Sequence, residues 1–134
     1  MRLALTALIF LIGLFDVFMA ASFLLTPLEM AQGLGVVPIA SAGISTIRAD
    51  FTSFFGVAGI AMMWGAWRRN ADLMLVPMLL FAASFLGRAF DLVVTGPYPG
   101  WPIHMSVEAV EVVLLIAGWR FLPHHRIAEL TEGL

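Results

Sequence analysis

The chain has 134 residues, 61% of them hydrophobic and only 12% charged, with a formal net charge of -2. A mean hydropathy of +0.98 lies outside the range of soluble globular domains, so the composition is that of a membrane protein. The acidic balance excludes the basic surface that neutralises nucleic-acid phosphates, leaving the lipid bilayer as the expected surrounding and nucleic acid as no partner. The absence of cysteine excludes disulfides, thiolate metal ligands and a cysteine nucleophile. A chain of this length holds one domain, residues 1–134, and a bilayer-crossing helix takes about 20 mostly apolar residues.

The first apolar run, residues 3–25, follows Arg2 in the manner of a secretory signal. It is too long for a signal core and contains Asp16, and "FMAAS" puts bulky Phe18 or Met19 where a cleavage site wants a small residue, so it reads as a retained first span. Residues 26–43, "TPLEMAQGLGVVPIASAG", offer Thr26 as N-cap and Pro27 at the first helical position, which predicts a short interfacial helix and then a loop, with a plain connector as the alternative. The second span is expected at 45–67, closed by Arg68, Arg69 and Asn70, and the third at 71–94. "TGPYPGWP", residues 95–102, reads as a rigid turn from its prolines and glycines. A fourth span at 104–122 stops at Pro123, which cannot continue the backbone hydrogen bonds. The tail "PHHRIAELTEGL" carries His124 and His125, which read as solvated surface. The expected fold is all-α: a four-helix transmembrane bundle with a short interfacial segment between its first two helices.

Positive charge orients this topology. Arg2, Arg68, Arg69, Arg120 and Arg126 all fall on one side of four spans, whereas the 95–103 loop has no charge and the first connector only Glu29. Both termini are therefore expected in the cytoplasm, for a bacterial protein at the inner membrane. Tyr98 and Trp101 mark the outer interface and Trp64, Trp67 and Trp119 the inner one.

The ionisable residues within the spans gather toward the outer half. At the helical rise, Asp91 lies about 4 Å and Arg88 about 9 Å below the outer boundary, and Glu108 about 6 Å and Glu111 about 10 Å in. His104 stands at that boundary, Arg48 and Asp50 open the second span, and Asp16 is near the middle of the first. Charges at such depth normally face the bundle interior and pair with one another. His104, Glu108 and Glu111 share one helix face by i, i+4, i+7 spacing, as do Ser84, Arg88 and Asp91. Arg48, Thr52, Gly56 and Gly59 form a stripe whose small residues let another helix approach, and Asp50 points about 200° away from Arg48. The expected pairing sets Arg48 and Arg88 against Glu108, Glu111 and Asp91, leaving an excess negative charge that protonation of Asp16 or one glutamate would balance.

Several chemistries compete for this cluster. A pocket for a small amphipathic or hydrophobic molecule would use Arg48, Arg88, His104, Asp16 and Asp50 for binding, and acid–base chemistry on that molecule would use Glu111, Glu108 and Asp91, with Glu111 deepest. A metal centre of His104, Glu108, Glu111 and Asp91 is not expected, because the Glu-x-x-His pattern of helical di-metal sites is absent, and no cofactor is called for. Proton-coupled transport finds no relay in the apolar inner half. The cluster can also be an ion-pair network that fixes helix register, and the chain an accessory subunit of a larger membrane complex. The eight methionines read as packing or lipid-facing residues, and no phosphate loop, nucleophile elbow or zinc-protease motif occurs.

"IRADFTSFFGVAGI" after the first connector, "GRAFDLVVTG" closing the third span, and the glutamates of "SVEAVEVVLL" in the fourth resemble a bacterial family of small four-helix membrane proteins known as a domain of unknown function and loosely similar to DoxX-like proteins. The resemblance covers most of the chain. It implies the four-helix membrane fold and Arg48, Arg88 and Glu108 as the family-type polar positions, and it implies no particular reaction. Asp50, Asp91, Glu111 and His104 stand beyond that pattern.

Overall fold

A computed structural model describes residues 2–124, and all of their regular structure is helical. The order is α1 (Arg2–Leu25), α2 (Pro27–Gly33), α3 (Ser41–Arg68), a 3₁₀ turn (Ala71–Met74), α4 (Leu75–Val94) and α5 (Trp101–Phe121). Three stretches are long and apolar enough to cross a membrane: Arg2–Leu25, Ala71–Val94 and Trp101–Phe121. At 28 residues α3 is the longest helix, but Arg48, Asp50, Thr52, Ser53 and its glycines dilute its apolar content. His125 and Arg126 lie outside the described residues.

The small-residue stripe on α3 finds its neighbour in α1. A Cβ on Gly59 would fall 2.5 Å from the Gly13 carbonyl oxygen and 2.9 Å from the Asp16 Cβ, so the two backbones meet where neither chain carries a side chain. Toward the other end Gly56 faces Ala20, the Thr52 hydroxyl donates to the Ala20 carbonyl at 3.3 Å, and Arg48 Nε donates to the Leu24 carbonyl at 3.1 Å. Arg48 thus satisfies one of the carbonyls that the last turn of α1 leaves without an intrahelical partner.

Local chemistry explains the element ends. Pro27 opens α2 as expected, but the Thr26 hydroxyl donates back to the Ser22 carbonyl at 3.1 Å and caps nothing. Arg69 ends α3 in the left-handed region at φ 52°. Asn70 then accepts from the Asp72 amide at 3.0 Å, opening the 3₁₀ turn. Pro77 is tolerated in the first turn of α4, where no intrahelical N–H bond is lost. Gly96 and Gly100 take φ of +94° and +87° in the turn between α4 and α5. Because Pro102 sits in a first turn, α5 begins at Trp101, three residues before the expected start at 104. Just after α5, Pro123 accepts from the Ala71 amide at 2.9 Å, and the His124 ring lies 3.0 Å from the Asp72 carboxylate and edge-on to Trp119. His124 is therefore partnered and not merely solvated surface.

The core has two parts. One joins Ile9, Met62, Met74, Phe81 and Leu115, with Gly65 and Gly118 admitting Met74 and Ile9. The other, toward α2, joins Phe23, Ala31 and Ile47, with Phe23 stacked on Phe51 and Phe55. Arg2, Arg68, Arg69 and Arg120 fall at the end of the bundle occupied by the first part.

Candidate functional site

Between the two core parts lies a cavity of about 510 Å³, within the size range of small-molecule sites. Each wall has a local origin. α1 contributes Asp16, on the face brought against α3 by Gly13 and Gly59. α5 contributes His104, Glu108 and Glu111, whose spacing of one and two turns holds all three on one side. α4 contributes Ser84 and Arg88, one turn apart, and α3 contributes Asp50 from its third turn. Phe51, Phe54 and Phe55 from α3 and Phe81 from α4 complete the lining. Phe54 meets both Phe55 and Phe81 edge to face, at centroid distances of 5.2 and 5.5 Å.

One carboxylate is well satisfied. Glu108 Oε1 accepts from Ser84 Oγ at 2.6 Å and from Arg88 Nε at 2.8 Å, and Arg88 Nη1 donates onward to the Tyr98 hydroxyl at 3.4 Å. The others are not: Asp16 is 1% exposed and Glu111 4% exposed, yet neither Asp16 oxygen nor Glu111 Oε2 has a hydrogen-bond partner. Glu108 Oε2 and His104 Nδ1 are likewise buried and unpartnered. Leaving such groups unmet costs about 1–3 kcal/mol each, so this cluster is an expensive way merely to pack helices.

Six of the residues singled out from the sequence, Asp16, Asp50, Arg88, His104, Glu108 and Glu111, border this one cavity. Arg48 and Asp91 do not. Arg48 is drawn to the end of α1 by the Leu24 carbonyl, and Asp91, exposed in the last turn of α4, accepts from the Thr95 hydroxyl at 2.8 Å. The expected set of arginine–carboxylate pairs within the cluster thus reduces to Arg88–Glu108. With α5 starting at Trp101, Glu111 lies ten residues in, about 15 Å along the helix. With Asp91 outside, the four-ligand metal set is incomplete, and no group of three or more His, Asp or Glu among the described residues is placed to hold a metal ion. Tyr98, read as an interfacial aromatic, holds Arg88, and the phenylalanine wall went unassigned although "DFTSFF" spaces its aromatics at one turn.

The cavity adjoins the outer surface of the helix pair α1 and α5. Phe15, Val107 and Glu111 line both the cavity and a shallow apolar groove that continues along Leu11, Ile12 and Val110.

Comparison with known proteins finds no matching family model, no matching curated protein and no matching solved structure.

Proposed function

We propose that this chain is a four-span bacterial inner-membrane protein, similar to DoxX-like proteins, that binds a small amphipathic or hydrophobic molecule in the cavity between its helices. α3 serves as the fourth span: it is long enough, and its charged residues Arg48 and Asp50 lie in the half away from the arginine-rich end. Arg2, Arg68, Arg69 and Arg120 at one end favour both termini in the cytoplasm, with exposed Asp50 toward the outer side.

A single observation carries the binding reading. A cavity walled by phenylalanines holds buried carboxyl oxygens, on Asp16 and Glu111, that no protein group satisfies. A ligand with a polar head and an apolar body meets both halves at once. Asp16, Glu111 and the free oxygen of Glu108 take the head, and the Ser84–Glu108–Arg88–Tyr98 chain fixes one side of it. A carboxyl at hydrogen-bond distance from a bound head is placed to exchange a proton with it, and Glu111 is the candidate for that role.

The accessory-subunit reading draws less support, because the small-residue stripe a partner helix would need lies against α1. The test is mass spectrometry of protein purified gently from its native membrane. Wild type should carry a small molecule that Glu111→Gln loses. A stoichiometric protein partner, with no small molecule and no change in the variant, would overturn the ligand reading in favour of a subunit role.

A further inference from the structure

The head group can be specified further, given the ligand-binding reading above. The ionisable groups facing the cavity are Asp16 from α1, Asp50 from α3, Arg88 from α4, and His104, Glu108 and Glu111 from α5. Four are carboxyls and one is a guanidinium, and that guanidinium is already engaged with Glu108 and Tyr98. A carboxylate or phosphate head would therefore face three further acids with no uncommitted arginine to receive it. A ketone or ester would have only the His104 ring as an uncommitted donor among ionised acids. The unpartnered oxygens of Asp16, Glu108 and Glu111 ask for donors, ideally on a positive group.

The phenylalanine lining makes the same demand. Phe51, Phe54, Phe55 and Phe81 supply apolar surface for the body of such a molecule and aromatic rings of the kind that attract a cation. Asp16 is the decisive member, for it is 1% exposed, borders the cavity and is unpartnered at both oxygens. We infer that the cavity binds a lipophilic amine, a primary or secondary ammonium on an aromatic or alkyl body, whose N–H groups are donated to Asp16 and Glu111 while the body lies on the phenylalanine wall. The neighbouring apolar groove shares Phe15 and Val107 with the cavity, on the side of α1 and α5 from which a lipophilic molecule would arrive.

The experiment is isothermal titration calorimetry of the full chain in lipid nanodiscs, with empty nanodiscs as the background for partitioning. Three isosteric probes are compared: 4-phenylbutylamine, 4-phenylbutan-1-ol and 4-phenylbutyrate. The amine should bind at least ten times more tightly than the alcohol, and the carboxylate not above background. The double variant Asp16→Asn, Glu111→Gln should keep the alcohol and lose the preference for the amine, while Asp91→Asn, outside the cavity, keeps the preference. Alcohol binding as tight as amine binding, or an amine preference that survives the double variant, overturns the amine and leaves the cavity a ligand site. Binding of no probe above background overturns the amine and the ligand site together. The wild-type comparison of amine with alcohol decides the point even where the double variant fails to fold.

Discussion

Arg88 Nε and Glu108 Oε1 stand 2.8 Å apart, an ion pair that ties α4 to α5 at the edge of the cavity. Ser84 donates to the same oxygen, so one carboxylate gathers two donors from one face of α4. Removing the arginine strands a carboxylate that is mostly buried. Because the Arg88 side chain is 33% exposed, the cost falls short of that for a fully buried pair: Arg88→Met should destabilise by about 1–3 kcal/mol. The double variant Arg88→Met, Glu108→Leu should recover part of the loss, since no lone charge remains. Reversible SDS unfolding in mixed micelles measures both, and strictly additive losses would show that the pair is not coupled.

Gly59 and Gly87 make a paired test of where the bundle is tight. Alanine at Gly59 would put a methyl group 2.5 Å from the Gly13 carbonyl oxygen and 2.8 Å from the Val17 amide, both backbone atoms that cannot turn aside. Overpacking of this kind costs about 1–3 kcal/mol, and by pushing α1 outward it should also weaken any binding that relies on Asp16. Alanine at Gly87 meets nothing within 4 Å and sits inside α4, so it should be neutral or stabilising by up to about 1 kcal/mol. Equal melting temperatures for the two variants would contradict the close crossing of α1 and α3.

Arg48 and Asp91 were drawn into the cluster by sequence position, and the structure gives them other work. Arg48→Gln should cost about 0.5–1.5 kcal/mol through the lost bond to the Leu24 carbonyl, and Asp91→Asn less still, since Asp91 is exposed and bonded only to Thr95. Neither should change ligand affinity measured by calorimetry. A tenfold loss of affinity in either would place that residue at the site after all.

These two residues show how far the sequence could be read. Helical spacing alone put His104, Glu108 and Glu111 on one face and matched Arg88 to a carboxylate across the interface, because a period of 3.6 residues is a property of the helix itself. The glycine stripe on α3 was equally legible, since only small residues permit close backbone approach. What spacing cannot give is the competition at helix ends. Arg48 and Asp91 lie within reach of free carbonyls and hydroxyls in terminal turns, and those local partners hold them away from the cluster. The start of α5 at Trp101 was hidden for a related reason: "GPYPGWP" reads as turn throughout, yet its last proline falls in a first turn, where proline fits the helix. The phenylalanine wall was out of reach because aromatic residues at one-turn spacing look alike whether they face lipid, core or cavity.

A ligand has two candidate approaches to the cavity, and kinetics tells them apart. One passes between α1 and α5, where Phe15 and Val107 border both the cavity and the apolar groove outside it. The other passes near the start of α3, where exposed Asp50 and half-buried Leu34 stand on the wall. A lipophilic ligand is concentrated in the bilayer and meets the first route without crossing water. Tryptophan at Val107 adds bulk at that seam, on a residue already half exposed, so the fold should tolerate it. Association of 4-phenylbutylamine, followed by stopped-flow calorimetry or fluorescence, should slow about tenfold in Val107→Trp, corresponding to about 1.4 kcal/mol on the barrier. Leu34→Trp should leave the rate unchanged. The reverse result, slow association in Leu34→Trp alone, would mean that the ligand arrives from the outer aqueous side, past Asp50, and that the groove between α1 and α5 is only lipid-facing surface.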